Sequence, residues 1–379
     1  MEKFVAAQKC SEYDFAQVHI AIKKLFELAP PPDVKGKNVL LKPNILLPKK
    51  PEAAVCTHPV VVGAAVKSFV EAGASHVFVG ESPAVANSTL AAKTTGIYEQ
   101  VVSNGGEWVD FDGEVNVHCP QARLFQTLSF TSAFAKADVL VSISKLKSHQ
   151  LMCYTGAMKN LFGLVVGLKK AQQHYRFSNK RDFATYLTDL NLAAKPQYAI
   201  MDAIVGMDGP GGPGNGRPIH MGFLASSRNI LALDWICAAA AGYDPHEVPN
   251  LLDALERKHW LVSPEDIQLF GCTAQEIRCQ SFKAVHENAA AKTLGRMLPS
   301  FVNSLAELIF VRKPYFDKKK CVRCGRCIEI CPAKILKFSN IDEKDNRTQK
   351  YVEIQRKNCL HCYCCHEICP VEAISLRHF

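Results

Sequence analysis

Along the first 280 residues, short apolar runs alternate with stretches whose apolar residues recur at helical spacing, the arrangement of an α/β domain. The runs that predict strands are Phe4–Gln8, Asn38–Leu47 (NVLLKPNILL, broken by Pro43), His76–Val79, Asp138–Ser144 (DVLVSIS) and Tyr198–Val205. Helices are predicted over Asp14–Leu28, Pro59–Ala72 with proline in its first turn, Gly156–Val165, Arg181–Ala194 as a surface helix, and Asn229–Gly242. The sheet these strands form is expected to be largely parallel. Beyond about Glu276 the pattern changes. Residues 281–312 read as a helical connector, and VRKPYFDKKK marks the boundary of a small α+β domain over 313–379. Inside it, Ser339–Lys350 (SNIDEKDNRTQK) reads as a hairpin tip between KILKF and KYVEI.

That last segment carries the strongest chemical signal. Cys321, Cys324, Cys327 and Cys331 precede Pro332 as C-x2-C-x2-C-x3-C-P, and Cys359, Cys362, Cys365 and Cys369 repeat the pattern before Pro370. Two such runs are the ligand set of a bacterial two-cluster ferredoxin, in which the fourth cysteine of each run serves the other cluster. Cys321, Cys324, Cys327 and Cys369 are therefore assigned to one 4Fe-4S cluster, and Cys359, Cys362, Cys365 and Cys331 to the second. Three cysteines on a tight loop grip three irons of a cubane. The fourth must come from elsewhere, and the following proline keeps its segment from folding back. Structural zinc also uses C-x2-C pairs, but has no use for a doubled triplet with a matching C-P. Cys364 lies outside the pattern and reads as a spare thiol.

A chain of 379 residues with 48% hydrophobic content is long enough for two or three domains. No stretch approaches the roughly 20 apolar residues of a membrane span, and the start MEKFVAAQKCSEYDF lacks the apolar core of a signal peptide. The remaining cysteines (Cys10, Cys56, Cys119, Cys153, Cys237, Cys272, Cys279) are scattered, as in a reduced interior. The expected location is the cytoplasm, of an anaerobic cell. Of the net charge of +9, Val311–Phe379 carries +7, with fifteen Lys and Arg against eight Asp and Glu. Two clusters, each with a formal charge of −2 once bound, bring that to about +3. The basic excess thus balances the cofactors, which argues against nucleic acid. The remainder would steer an acidic redox partner, ferredoxin- or flavodoxin-like.

Within the α/β part, Lys145-Leu-Lys147-Ser-His149 follows a predicted buried strand and precedes Tyr154-Thr-Gly-Ala-Met-Lys159-Asn160-Leu-Phe-Gly163. Ligands of open α/β sheets bind beyond the carboxyl ends of strands. This stretch is therefore expected to form a cationic turn, with Gly156 starting a helix whose amides face an anion. A plain solvated loop is the alternative. Lys42-Pro43-Asn44, Thr57-His58-Pro59 and Glu81-Ser82-Pro83 occupy comparable strand-end positions, where ordinary turns also use proline. Asp202 precedes the run Gly209–Gly216, which is either a lid or a structural turn and lacks the Lys-Ser/Thr of a P-loop. Cys153, between His149 and Lys159, is the isolated cysteine to weigh as a nucleophile.

The motifs LKPN, THP, GESPA, KLKSHQ…TGAMKNLFG and MDAIVGMDGPGG resemble the family named domain of unknown function 362, over roughly residues 35 to 245. The resemblance implies an iron–sulfur redox protein of prokaryotes and no particular reaction. A fainter likeness, to nickel-pincer lactate racemases, rests on His149 followed ten residues later by Lys159 in a glycine-containing segment. Ala157-Met158 stand where that family has paired glycines. It implies a shared fold, with Lys159 facing the pocket.

Three functions fit. The first is a redox enzyme, with the clusters as relay, Lys42, Asn44, His58, Glu81, Ser82, Lys145, Lys147, Asn160 and Asp202 lining a site for a small anionic ligand or cofactor, and His149 and Lys159 catalytic. No flavin or dinucleotide fingerprint is visible, and nickel and flavin both stay open as further cofactors. The second is an electron carrier whose α/β part docks another enzyme. The third is racemase-like chemistry with structural clusters.

Overall fold

The backbone follows the predicted alternation, but the strands expected to end at Ser144 and Val205 run on to His149 and Asp208, whereas the expected strand Asn38–Leu47 stops at Pro43. A computed structural model describes residues 2–177, 179–286, 312–339 and 350–377. Most of the expected connector (287–311) and the expected hairpin tip (340–349) lie outside the described residues.

The α/β part contributes strands β1 (Phe4–Lys9), β2 (Asn38–Pro43), β3 (His76–Val79), β4 (Glu107–Trp108), β5 (Glu114–His118), β6 (Thr127–Thr131), β7 (Val139–His149), β8 (Cys153–Thr155), β9 (Tyr198–Asp208), β10 (Arg217–Ser227) and β11 (Gln268–Gly271). Its main helices are α1 (Phe15–Leu28), α2 (Pro59–Glu71), α3 (Ser88–Thr94), α4 (Ile97–Ser103), α5 (Ala157–Asn160), α6 (Lys169–Arg176), α7 (Lys180–Ala194), α8 (Ile230–Ala240) and α9 (Pro249–Glu256). The central sheet runs in the order β11-β1-β10-β9-β7-β2-β3-β4, with β8 folded back on β7 and β5 paired with β6 as a separate ribbon. All neighbours along it pair in parallel except β10, which lies antiparallel between β1 and β9. The sheet is thus largely parallel.

Helices cover both faces, as a parallel sheet requires. On one face lie α1, α2 and α4. Helix α1 is capped by Asp14, whose side chain accepts from Gln17 N at 2.9 Å, and it buries Val18, Ala21, Ile22 and Leu25 at i, i+3, i+4 and i+7. Each of its three larger apolar side chains contributes roughly 1.5–3 kcal/mol through burial. The other face holds α5, α7, α8 and α9. Helix α7 departs from the expected surface helix. Eleven of its residues are buried, because its polar Asp189 and Asn191 find internal partners in Arg257 and the Met158 carbonyl.

The C-terminal module is built from two antiparallel pairs, β12 (Lys313–Phe316) with β15 (Ile374–Arg377) and β13 (Leu336–Phe338) with β14 (Val352–Ile354). Each cysteine run leads into a short helix, Arg326–Ile330 in the first and Cys364–Glu367 in the second. The module is seated on the α/β part. Ile330, Cys364 and Ile368 share an apolar cluster with Ile45, Leu47 and Val55.

Candidate functional site

Chain order decides where a site forms. From β2 the chain passes through α2 to β3 on one side, and from β7 it passes through α5–α7 to β9 on the other. The crevice beyond the carboxyl ends of β2 and β7 is therefore a topological switch point. Nearly every candidate polar residue sits around it. β7 runs through His149, so Lys145, Lys147 and His149 lie on the strand rather than on the expected turn, and their period-2 spacing puts them on one face.

Most of these groups are already paired with one another. Lys42, wholly buried, bonds the Glu81 carboxylate, the Pro43 carbonyl (2.8 Å) and Asn160 Oδ1 (3.0 Å), while Asn160 Nδ2 donates to the Lys42 carbonyl at 2.9 Å. Lys170 joins this group through the Ser82 carbonyl and Glu81, and Ser82 Oγ accepts from Gly167 N at 2.8 Å. On the opposite face Lys145 Nζ donates to Asp202 Oδ2 (2.9 Å) and to Tyr13 OH (2.8 Å). Asp202 also accepts from Tyr13 OH and from His58 N, both at 2.9 Å. The His58 ring stacks on Tyr13 at 3.5 Å, and its Nδ1 accepts from Val60 N to cap α2. Lys147 Nζ donates to Asn44 Oδ1 (2.7 Å) and the Val55 carbonyl (2.8 Å). Burial lowers the pKa of each of these lysines, taking Lys147 to about 7 and Lys170 to about 8.

Two candidates behave differently. Lys159 is half-buried and has no hydrogen-bond partner among the described residues. Burial lowers its pKa, opposed first by the Glu367 carboxylate. His149 is wholly buried, and its Nδ1 accepts from Leu151 N (3.1 Å) and Met152 N (3.2 Å). That pattern assigns the proton to Nε2, which lies 3.4 Å from Glu367 Oε1 without a well-formed hydrogen bond. Desolvation and the nearby Lys159 ammonium push its pKa well below 6.5, so the imidazole is neutral and offers a hydrogen bond rather than a cationic acid.

Two expectations are corrected here. The amides that begin α5 face no external anion. Ala157 N and Met158 N donate to the buried Asp234 carboxylate at 2.6 and 2.9 Å, and Gly156 is required because a Cβ there would overlap Asp234 and the Tyr154 hydroxyl. Cys153 is buried at 4% exposure, too enclosed for a nucleophile. The glycine run turns out to be a spacer. Ser148 Oγ donates to the Gly209 carbonyl at 2.7 Å, Asn215 Nδ2 donates to the His366 carbonyl at 2.8 Å, and a Cβ on Gly214 would overlap the Glu367 carbonyl. The run thus lies between the end of β7 and the second cysteine motif.

In the C-terminal module the cysteines line two separate, largely apolar cavities. One is walled by Cys321, Cys324, Cys327 and Cys369, the other by Cys331, Cys359, Cys362 and Cys365. Thiolate donors around apolar space of this kind suit 4Fe-4S clusters, and each cavity crosses the two runs. Cys364 lines neither and packs toward the α/β core.

Tyr13, Lys170 and Glu367 were not singled out from the sequence. Tyr13 reads as an ordinary residue before a helix, and Lys170 as one of a surface Lys pair. Glu367 lies inside the x3 spacer of a cysteine run, and its one sequence signal is that position between two cluster-type cysteines.

A profile for a domain of unknown function, DUF362, matches residues 39–239, more than half of the chain. The chain belongs to the DUF362 family. A 4Fe-4S dicluster domain matches residues 320–373, so this DUF362 protein is an iron–sulfur protein. It is similar to the thylakoid-associated protein sll1697 of Synechocystis, with 32% identity over 217 residues that cover 57% of this chain and 66% of that protein. Among solved structures, a lactate racemase apoprotein from Thermoanaerobacterium thermosaccharolyticum aligns at 12% identity and a TM-score of 0.39, covering 64% of this chain and 57% of that one. A structural-genomics protein from Thermotoga maritima aligns at 11% and 0.33, covering 62% and 60%. Likenesses that weak carry no argument about this DUF362 protein. The chain spans just under two thirds of the curated relative's length and less of either solved chain. No helix among the described residues is long and apolar enough to cross a membrane.

Proposed function

We propose that this chain is an iron–sulfur oxidoreductase whose small anionic substrate or cofactor binds at the switch-point crevice, beneath the C-terminal module. The observation that carries it is Lys159. It is a half-buried ammonium group with no hydrogen-bond partner among the described residues, beside a neutral His149 whose Nε2–H is likewise unsatisfied. Lys159 would bind the anionic group and His149 would orient it by donating from Nε2. Lys147, Lys42 and Lys145 are consumed by internal partners and hold the strand ends in place. Cys321, Cys324, Cys327 and Cys369 would hold one 4Fe-4S cluster, and Cys331, Cys359, Cys362 and Cys365 the other. When bound, these clusters supply one-electron transfer at low potential. A crevice in contact with the cluster-binding module needs no diffusing donor at the last step.

The extensive pairing of Lys42, Lys145 and Lys147 favours a second reading, in which the α/β part is a rigid platform and the protein is an electron carrier. Anaerobic purification with analysis of iron, sulfide, nickel and organic chromophores separates the two. About eight irons plus a further chromophore or nickel support an enzyme, and about eight irons alone support a carrier. Lys159→Ala is expected to keep its iron and lose any co-purifying anionic ligand. Retention of that ligand would refute the placement of the site.

A further inference from the structure

The C-terminal module has a second face that, among the described residues, is lined by the module alone. It is an open groove walled by Lys318, Lys319, Lys337, Arg356 and Arg377, all exposed, with Phe316, Val352 and Ile354 along its floor. Of the two acidic residues at the groove among the described residues, Asp317 is turned toward its own backbone, accepting from the amides of Lys319 (2.9 Å) and Lys320 (3.3 Å). Glu353 is the other. Two of the cations are held over aromatic rings. Lys318 Nζ sits 3.7 Å from the Tyr351 centroid, and the Arg377 guanidinium 3.7 Å from Tyr315. Such stacking fixes long side chains in advance and lowers the ordering cost of docking.

The floor gives the groove its meaning. Phe316 and Val352 also wall the cavity of Cys321, Cys324, Cys327 and Cys369, and Ile354 also walls the cavity of Cys331, Cys359, Cys362 and Cys365. A single side chain therefore separates the groove from each cysteine cavity. The opposite side of the module meets the α/β part through His366 and Glu367. We infer that the groove is the docking surface for an acidic electron-carrier protein, and that electrons enter the chain there. The inference rests on the iron–sulfur reading of the module and adds the place and charge of its partner. Basic walls around a short apolar floor match a partner with an acidic rim around an exposed cofactor edge, where charge sets orientation and encounter rate. In the transfer one electron leaves the carrier's reduced flavin and is taken up by the iron–sulfur module, with no bond made or broken.

The test uses the full, iron-loaded chain and flavodoxin as the acidic probe. Binding of oxidised flavodoxin is measured by calorimetry, and reduction by flavodoxin hydroquinone by stopped flow, at 50 mM and 500 mM salt. The Lys319→Glu/Lys337→Glu variant changes the groove charge by four units at two exposed positions. It is expected to weaken binding and slow reduction at least tenfold at 50 mM salt, with the difference largely gone at 500 mM. Lys35→Glu/Lys93→Glu, the same charge change on the α/β part, is expected to behave as wild type. Equal losses in both variants, or a wild-type rate insensitive to salt, would overturn the assignment of this face. So would tight binding of duplex DNA that the groove variant abolishes while flavodoxin binding is unchanged. Dithionite reduction is the control on the underlying reading: a chain that dithionite fails to bleach refutes the redox role itself, whereas normal bleaching with groove-independent flavodoxin binding refutes the docking surface alone.

Discussion

Replacing Asp202 with alanine is expected to destabilise the α/β part by about 3–5 kcal/mol, the usual cost of leaving a buried charge without its partner. Asp202 is wholly inaccessible and Lys145 nearly so, and the carboxylate accepts three hydrogen bonds of 2.9 Å, from Lys145, Tyr13 and the His58 amide. Without it, the ammonium keeps only the Tyr13 hydroxyl at 2.8 Å. Guanidinium unfolding followed by tryptophan fluorescence reads the loss cleanly, because Trp108, Trp235 and Trp260 are the chain's three tryptophans and all lie in the α/β part. Lys145→Met/Asp202→Leu removes both charges and is expected within about 2 kcal/mol of wild type, since apolar replacement of a buried pair is often near neutral. The pH dependence adds a signature. Desolvation lowers the Lys145 pKa and Asp202 is the first group opposing it, so in Asp202→Ala the folded state binds fewer protons than the unfolded one above neutral pH. Stability of that variant therefore rises as pH climbs toward the ordinary lysine value, and its deficit narrows. A cost under about 1 kcal/mol, or a double variant no better than the single, would refute the buried-pair argument.

Gly214→Ala is expected to loosen the C-terminal module without unfolding the α/β part, because the added methyl collides with the Glu367 carbonyl; faster hydrogen exchange over Cys364–Glu367 at unchanged tryptophan unfolding is the expected pattern. Gly156→Ala should cost about 2–4 kcal/mol in the same unfolding assay, combining overpacking with disturbed bonds from Ala157 N and Met158 N to Asp234. Cys327→Ala is expected to remove about half the iron and leave one cluster's absorbance, because its cavity is separate from that of Cys331, Cys359, Cys362 and Cys365; equal loss of both would contradict the ligand partition. Acid should destabilise the fold. Burial lowers His58 to about 4 and His174 to about 3, so between pH 6.5 and 4 the unfolded state binds more protons and stability falls with falling pH. These two contribute up to about 2–3 kcal/mol per pH unit together, beside the likewise lowered His149 and His366, and His174→Phe should reduce the slope by about 1.4 kcal/mol per pH unit.

Local pattern was enough for much of this architecture. Apolar periodicity places α1 within one residue of its observed start and leaves β3 unchanged, because both bury a face whose spacing is written in adjacent residues. The doubled cysteine spacing marks the C-terminal module for the same reason, since ligand geometry over a few residues is local. Where a long strand continues past its apolar core, periodicity misleads. Lys145, Lys147 and His149 read as a turn because charged residues are seldom buried, yet β7 carries them inward since each finds a partner there.

Those partners are what the sequence alone could not supply. It determined that this is an α/β protein with a 4Fe-4S cysteine module built on a doubled motif, and it put polar residues at the strand ends. Only the tertiary structure decided that Asp202 meets Lys145, that Asp234 fills the start of α5, and that Lys159 is left without a partner among the described residues. The two cysteine runs make the point on their own terms. Both contain Glu-Ile-Cys at the same place, yet Glu329 is exposed while Glu367 is turned against His149 under the glycine run. Identical local sequence acquires different chemistry because burial and charge depend on distant segments that share no pattern, and those meet only when the sheet folds and the module settles onto it.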